Sequence, residues 1–218
     1  MHVLNNAFMP TCNHVSKKMI MKAFKTSEKI FKNKVVIDFQ KDKKLLILVN
    51  LFSVLLFPVF YVFFYYFSWL FGIIERQDQM AYYFFFKFLP YKYLILIFVI
   101  LVVITVIHEL IHGLFFYLIT KEKPDFGYKV LYAYVGAPDW FIKKKYFYLI
   151  GLSPFVLITL AGVVSLFLVG SYYLSVVLIP LAAHSAACIG DIWFNSMLLN
   201  KPEETYVNDN GLNASINY

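Results

Sequence analysis

Leu45 to Ile74 reads LLILVNLFSVLLFPVFYVFFYYFSWLFGII, 30 residues without one Asp, Glu, Lys, Arg or His. A helix crosses a hydrocarbon core in about 20 apolar residues, so this run spans a bilayer with length left for tilt. Three further runs share its character, and the expected spans are Leu45–Ile74, Tyr93–Thr120, Tyr146–Gly170 and Tyr172–Asn200. From Tyr146 to Ala183, 38 residues again lack Asp, Glu, Lys, Arg and His, too many for one crossing. Gly170-Ser171 supplies a tight turn between two antiparallel helices there. Phe and Tyr crowd the span ends, at Tyr61–Phe71, Tyr82–Phe88 and Tyr146–Tyr148, as interfacial belts do. Pro58 lies inside the first span, where a kink is tolerated. The expected fold class is an all-α membrane protein of about four transmembrane helices, with the lipid bilayer as its first partner.

Composition agrees. The chain is 61% hydrophobic and 15% charged, against about 45–50% and about 25% in soluble domains. Its net charge of +7 does not point to nucleic acid, because the lysines flank apolar spans and no nucleic-acid motif accompanies them. Lys and Arg number 10 in residues 1–44, 6 in 121–145 and 1 in 201–218, but only 3 in 75–92. The positive-inside rule therefore places both termini and the 121–145 loop in the cytoplasm. Spans two and four then both run from outside to inside.

Around the membrane domain of residues 45–200, residues 1–44 form a basic arm. Ser16 to Lys34 sets Ile20, Phe24 and Phe31 near one helical face, which suits a helix on the inner leaflet; a disordered basic arm is the other reading. Nothing at the N-terminus reads as a cleavable signal peptide. The polar tail, 201–218, is expected to fray. Lys129 to Gly136 reads KVLYAYVG, rich in β-formers and bounded by glycines, which predicts a short strand or hairpin in the cytoplasmic loop between helices two and three. Cys12 and Cys188 lie too far apart in this topology to suggest a disulfide framework. His2, Cys12 and His14 form only a loose tract in the arm.

The second span carries His108-Glu109-Leu110-Ile111-His112. On a helix, histidines at i and i+4 project from one face and can reach one Zn2+ at about 2.0–2.1 Å, with the intervening glutamate placed to act on water. An ionisable group at mid-membrane costs about 2.5–3.5 kcal/mol on insertion scales, so three within five residues point to a functional cluster.

A catalytic zinc usually has three protein ligands. The remaining candidates are His184 and Asp191 in span four. At about 1.5 Å per residue, counted from the outer ends, Asp191 falls level with His112 and His184 lies roughly 10 Å farther out. Depth favours Asp191, whose charge also offsets part of the metal's. His184, Asp191 and Asn195 share a helical face, so His184 and Asn195 are candidates to support the ligands. For His184, a hydrogen-bonding partner, a gate and a substrate-facing group all remain open. Ala182, Ala186 and Gly190 recur at i+4 and predict close packing of span four against span two. Pro180 predicts a kink that leaves the Val176 carbonyl without its helical partner.

An intramembrane HExxH, a loop with a short strand and a later span containing Gly190-Asp191 resemble the small bacterial integral-membrane proteins of the putative zincin peptidase family. That family is similar in layout to site-2 protease-type intramembrane metalloproteases. The resemblance covers about residues 45–200. It implies a zinc metallopeptidase of the bacterial plasma membrane acting on membrane protein or peptide substrates. By resemblance His108 and His112 match the paired metal ligands, Glu109 the catalytic glutamate and Asp191 the distal carboxylate ligand. Gly precedes Asp191 and Ile192 follows it, unlike the site-2 protease signature, and no PDZ-like domain fits in the chain. A metal transporter, a sensor or a degenerate non-catalytic partner would use the same ligands. Transporters, however, usually show repeat halves, and none is visible here.

Overall fold

The computed structural model describes residues 23–25, 33–38, 42–73, 91–129, 132–169 and 173–218. Helix α1 spans Lys43–Leu70, α2 Tyr91–Thr120 and α3 Lys144–Leu168. The last apolar stretch divides into α4, Leu174–Ala187, and α5, Ile189–Ser196. Four segments, Lys43–Leu70, Tyr93–Thr120, Lys144–Leu168 and Leu174–Ser196, are long and apolar enough to cross a membrane. Each lies within a few residues of the span read from the sequence. Asp42 caps α1, its Oδ1 accepting the Leu45 N–H at 3.0 Å. Pro180 lies within α4, and the helical interruption falls at Cys188 instead. Large apolar side chains such as Ile47, Leu55, Ile95 and Phe98 point outward from α1 and α2. Such a surface suits lipid as its surroundings rather than water.

The chain is not all-α. Strands β1 (Ala23–Phe24), β2 (Lys34–Asp38), β5 (Phe141–Lys143), β6 (Tyr206–Asp209) and β7 (Asn213–Asn217) form an antiparallel sheet of order β1-β5-β6-β7-β2. Strands β3 (Asp125–Lys129) and β4 (Tyr132–Gly136) pair separately as a hairpin between α2 and α3, with Lys129 opposite Tyr132 and Asp125 opposite Gly136. β1 and β2 precede α1, β5 precedes α3, and β6 and β7 follow α5, so the sheet gathers at one end of the helices.

Two expectations about the ends of the chain are corrected by this sheet. The 201–218 tail is not frayed: β6 and β7 are its central strands, flanked by β5 and β2. Val207, Ala214 and Ile216 are buried against Ile142, Phe147, Phe194 and Leu198. Alternation in a short polar tail signals nothing until other strands cover one face. The helix expected over Ser16–Lys34 lies mostly outside the described residues; within them, Ala23–Phe24 is a strand paired with Phe141 and Ile142, and Lys34 begins β2. His2, Cys12 and His14 also lie outside them.

A second core joins α1, α3 and α4 through Tyr61, Phe64, Leu166, Leu178, Leu181 and Ala182. Gly190 faces α1 too, a Cβ there standing 3.5 Å from Val49 Cγ1. Gly190 of the small-residue stripe therefore meets α1, while α4, which carries Ala182 and Ala186, packs against both α1 and α2.

If the C-terminal hairpin is a core element, Ile216→Ala destabilises the protein by about 2–5 kcal/mol, as large-to-small core changes do. Val36→Ala on β2, 58% exposed, changes stability by no more than about 0.5 kcal/mol. Chemical unfolding in detergent measures both.

Candidate metal centre

Helix α2 runs unbroken through His108-Glu109-Leu110-Ile111-His112, so both imidazoles leave one face, their ring centroids 4.7 Å apart. Their Nε2 atoms converge to 3.1 Å. Asp191, in the first turn of α5, brings Oδ2 to 3.3 Å from His108 Nε2 and Oδ1 to 3.7 Å from His112 Nε2. Donor atoms on a tetrahedral zinc with bonds of about 2.0–2.1 Å stand roughly 3.3 Å apart. The three side chains predicted to meet do meet, and their donor atoms are grouped closely enough to hold a metal ion.

The orientation of His112 has a cause in α3. Pro154 lies inside that helix and has no N–H, so the carbonyl four residues back, on Ile150, loses its helical donor. His112 Nδ1–H donates to this carbonyl at 2.8 Å, and Ser153 Oγ donates to it at 2.9 Å. A carbonyl only accepts, so the His112 proton resides on Nδ1 and the Nε2 lone pair faces His108 and Asp191. Pro154 was not singled out from the sequence. Its signal was a proline inside an apolar span that needs all its carbonyls satisfied.

The two candidate supporting residues also reach the centre. His184 Nε2 lies 3.2 Å from His108 Nδ1, on the side of the ring away from Asp191. The depth estimate set His184 outside the level of His112, and His108, one turn farther out on α2, is what it meets. Asn195 Nδ2 donates to the Asp191 carbonyl at 2.8 Å. The same amide packs on Gly151 of α3, where a Cβ would stand 2.0 Å from Asn195 Nδ2. α5 is thus held against α3 where Asp191 is presented.

Beside the centre is a cavity of about 310 Å³ whose lining includes Glu109, His112, Asp191 and Asp209, with Leu46 and Val49 of α1, Tyr134 and Val135 of β4, and Trp193 of α5. Among the described residues, Glu109 has no hydrogen bond or ion pair, and its carboxylate is available to whatever occupies the cavity. Gly113, one residue past the motif, does not end α2. It admits the hairpin, since a Cβ there would stand 2.3 Å from Phe126 Cζ of β3. Gly136 likewise lets the Asn210-Gly211 turn approach the end of β4, and Ala137 N–H donates to the Asp209 carbonyl at 2.7 Å. Gly211, at φ +80°, makes that turn.

Asp209 is a cavity-lining acid that sequence reasoning missed, because it sits in what read as a frayed tail. Desolvation pushes its carboxyl up to about 6, opposed by the Gly211 N–H that donates to its Oδ1 at 2.7 Å.

Residues 101–206 match the model of a family described as putative zincin peptidase. The matched stretch is just under half of the chain. It begins in α2 ahead of His108 and ends at the start of β6, so it contains His108, Glu109, His112, His184, Asp191 and Asn195. α1 and nearly all of the C-terminal hairpin fall outside it, although both line the cavity. No curated protein and no solved structure matches the chain. Zincin peptidases are metallopeptidases, and the family implies zinc as cofactor.

Pro154→Ala returns an N–H donor to the Ile150 carbonyl and loosens its hold on His112. Zinc affinity should fall by about 10–100-fold, as when an outer partner of a ligand is lost. Thermal stability should hold or rise, since Pro inside a helix is unfavourable. Competition with a chelating dye and a melting curve separate the two effects. For Asp209, a raised carboxyl favours the folded state at low pH, and that advantage is lost as pH rises from about 4 through about 6. In metal-free protein, Asp209→Asn should match wild type near pH 4 and melt at a higher temperature at pH 7.

Proposed function

We propose that the protein is a membrane-embedded zinc metallopeptidase that hydrolyses peptide bonds of membrane-associated protein or peptide substrates. The carrying observation is the convergence of His108, His112 and Asp191 donor atoms beside a cavity into which the unengaged Glu109 carboxylate faces. Zinc, held by His108, His112 and Asp191, supplies Lewis acidity that polarises a carbonyl oxygen and acidifies water.

In this reading the chain's own groups divide the remaining work. Glu109 takes a proton from the attacking water and returns it to the amine nitrogen as the C–N bond breaks. His112 keeps its Nε2 lone pair aimed inward through its bond to Ile150. Asn195 fixes the turn that bears Asp191. A transmembrane substrate hides its amide bonds in helical hydrogen bonds, so it must unwind before cleavage. The β3–β4 hairpin, with Tyr134 and Val135 on the cavity wall, supports strand addition as the means of holding the unwound segment. The apolar outer faces of α1 and α2 and the grouping of lysine-rich segments at the sheet end support a plasma-membrane location with that end cytoplasmic.

Glu109→Gln should retain zinc at wild-type stoichiometry and lose cleavage by about 10²–10⁴-fold, the usual contribution of a general base. His108→Ala and Asp191→Ala should lose zinc and activity together. Purified protein in detergent is incubated with a mixed-sequence peptide pool, products are read by mass spectrometry, and metal is measured by elemental analysis. A Glu109→Gln variant that still cleaves sinks the general-base assignment.

A further inference from the structure

On the opposite edge of the His108 ring from Asp191 lies a second set of metal-binding donors. His108 Nδ1 and His184 Nε2 are 3.2 Å apart, and Cys188 Sγ lies 3.5 Å from His184 Nε2 and 3.9 Å from His108 Nδ1. Around a tetrahedral ion with N bonds of about 2.05 Å and S bonds of about 2.3 Å, N···N separations are roughly 3.3 Å and N···S roughly 3.6 Å. The observed spacings meet that requirement almost as well as those of the first set. His184 is buried, and Cys188 is fully buried as a free thiol. One helical break brings them together: α4 ends at Cys188, four residues after His184, and Asp191 follows in the next turn, aimed at the other nitrogen of the same ring.

We propose that His108 Nδ1, His184 Nε2 and Cys188 Sγ form a second metal site, of two nitrogens and one sulfur, that takes thiophilic d¹⁰ cations and excludes zinc from the proposed catalytic site. Thiolate and imidazole donors favour such ions over hard cations. Exclusion follows because the two sites share one imidazole. A neutral ring carries one proton, and an ion on Nδ1 leaves that proton on Nε2, the nitrogen that faces His112 and Asp191. Binding of the divalent ion releases the Cys188 thiol proton to solvent and moves the His108 proton from Nδ1 to Nε2. No oxidation is involved. The second site is thus an inhibitory position built into the reaction centre, filled when thiophilic metal is in excess. The exclusion rests on the zinc reading of the first site; the second site itself does not.

Cd2+ is the probe, because a cadmium–thiolate bond gives an ultraviolet charge-transfer band that nitrogen and oxygen ligands do not. All proteins carry Cys12→Ser, which leaves Cys188 as the one thiol. Titration of the zinc-loaded parent in detergent should raise the band to saturation at one thiolate-bound equivalent and release the bound zinc in step. Cys188→Ser and Cys188→Ala should show no band and keep their zinc, the pair guarding against a folding defect in either. His112→Ala should bind zinc poorly yet retain the band, and His108→Ala should lose both. A band that survives in His108→Ala or His184→Ala, or no band in the folded parent, overturns the second site. A full band with zinc still bound overturns the exclusion. Failure of the catalytic-site reading looks different: zinc content is then the same in the parent and in His112→Ala, while the Cys188-dependent band persists.

Discussion

One carbonyl organises this centre. Pro154 deprives the Ile150 oxygen of its helical N–H, and in an apolar bundle an unpaired carbonyl must find another donor. It takes the Nδ1 proton of His112. That bond fixes the tautomer and turns the ring so that Nε2 points to His108 and Asp191. A helix defect in α3 thereby sets the orientation of a residue on α2.

The same logic governs the other polar groups of the helical region. Each ionisable side chain placed among apolar ones needs a partner, or its desolvation is uncompensated. His108 has Asp191 on one ring edge and His184 on the other; Asp191 has two imidazoles, with Asn195 holding its backbone. Among the described residues, the Glu109 carboxylate on the cavity wall has no hydrogen bond or ion pair. Two groups of donor atoms that could hold a metal ion meet at His108 because the break at Cys188 separates α4 from α5, letting His184 and Asp191 approach opposite edges of one ring.

The sheet ties the helix ends to the site. Strands from before α1, between α2 and α3, and after α5 converge, and the β6–β7 turn rests on the end of β4 through Gly136. The cavity therefore has walls from six separate regions of the chain: the start of α1, α2, the hairpin, α3, α5 and the C-terminal turn. The family match covers residues 101–206, and the first and last of these walls lie outside it.

Local properties of the chain were enough to find the four apolar segments, the strand-forming stretch near Lys129–Gly136, the one-sided display of His108 and His112, and Asp191 as the group that meets them. Hydropathy and helical periodicity are carried by neighbouring residues, so they are legible without a partner. The tertiary structure decided what depends on distant contacts. The 201–218 tail became the centre of a sheet because β2 and β5 cover its edges. Gly190 turned to α1, beside Val49, because helix packing, not residue size alone, chooses the neighbour. Asp209 joined the cavity through a turn seated on β4. The roles of Pro154 and Cys188 rest on bonds spanning 38 and 80 positions, from Ile150 to His112 and from Cys188 to His108. Periodicity carries no information over such distances; only the packing of one helix against another brings those atoms within reach.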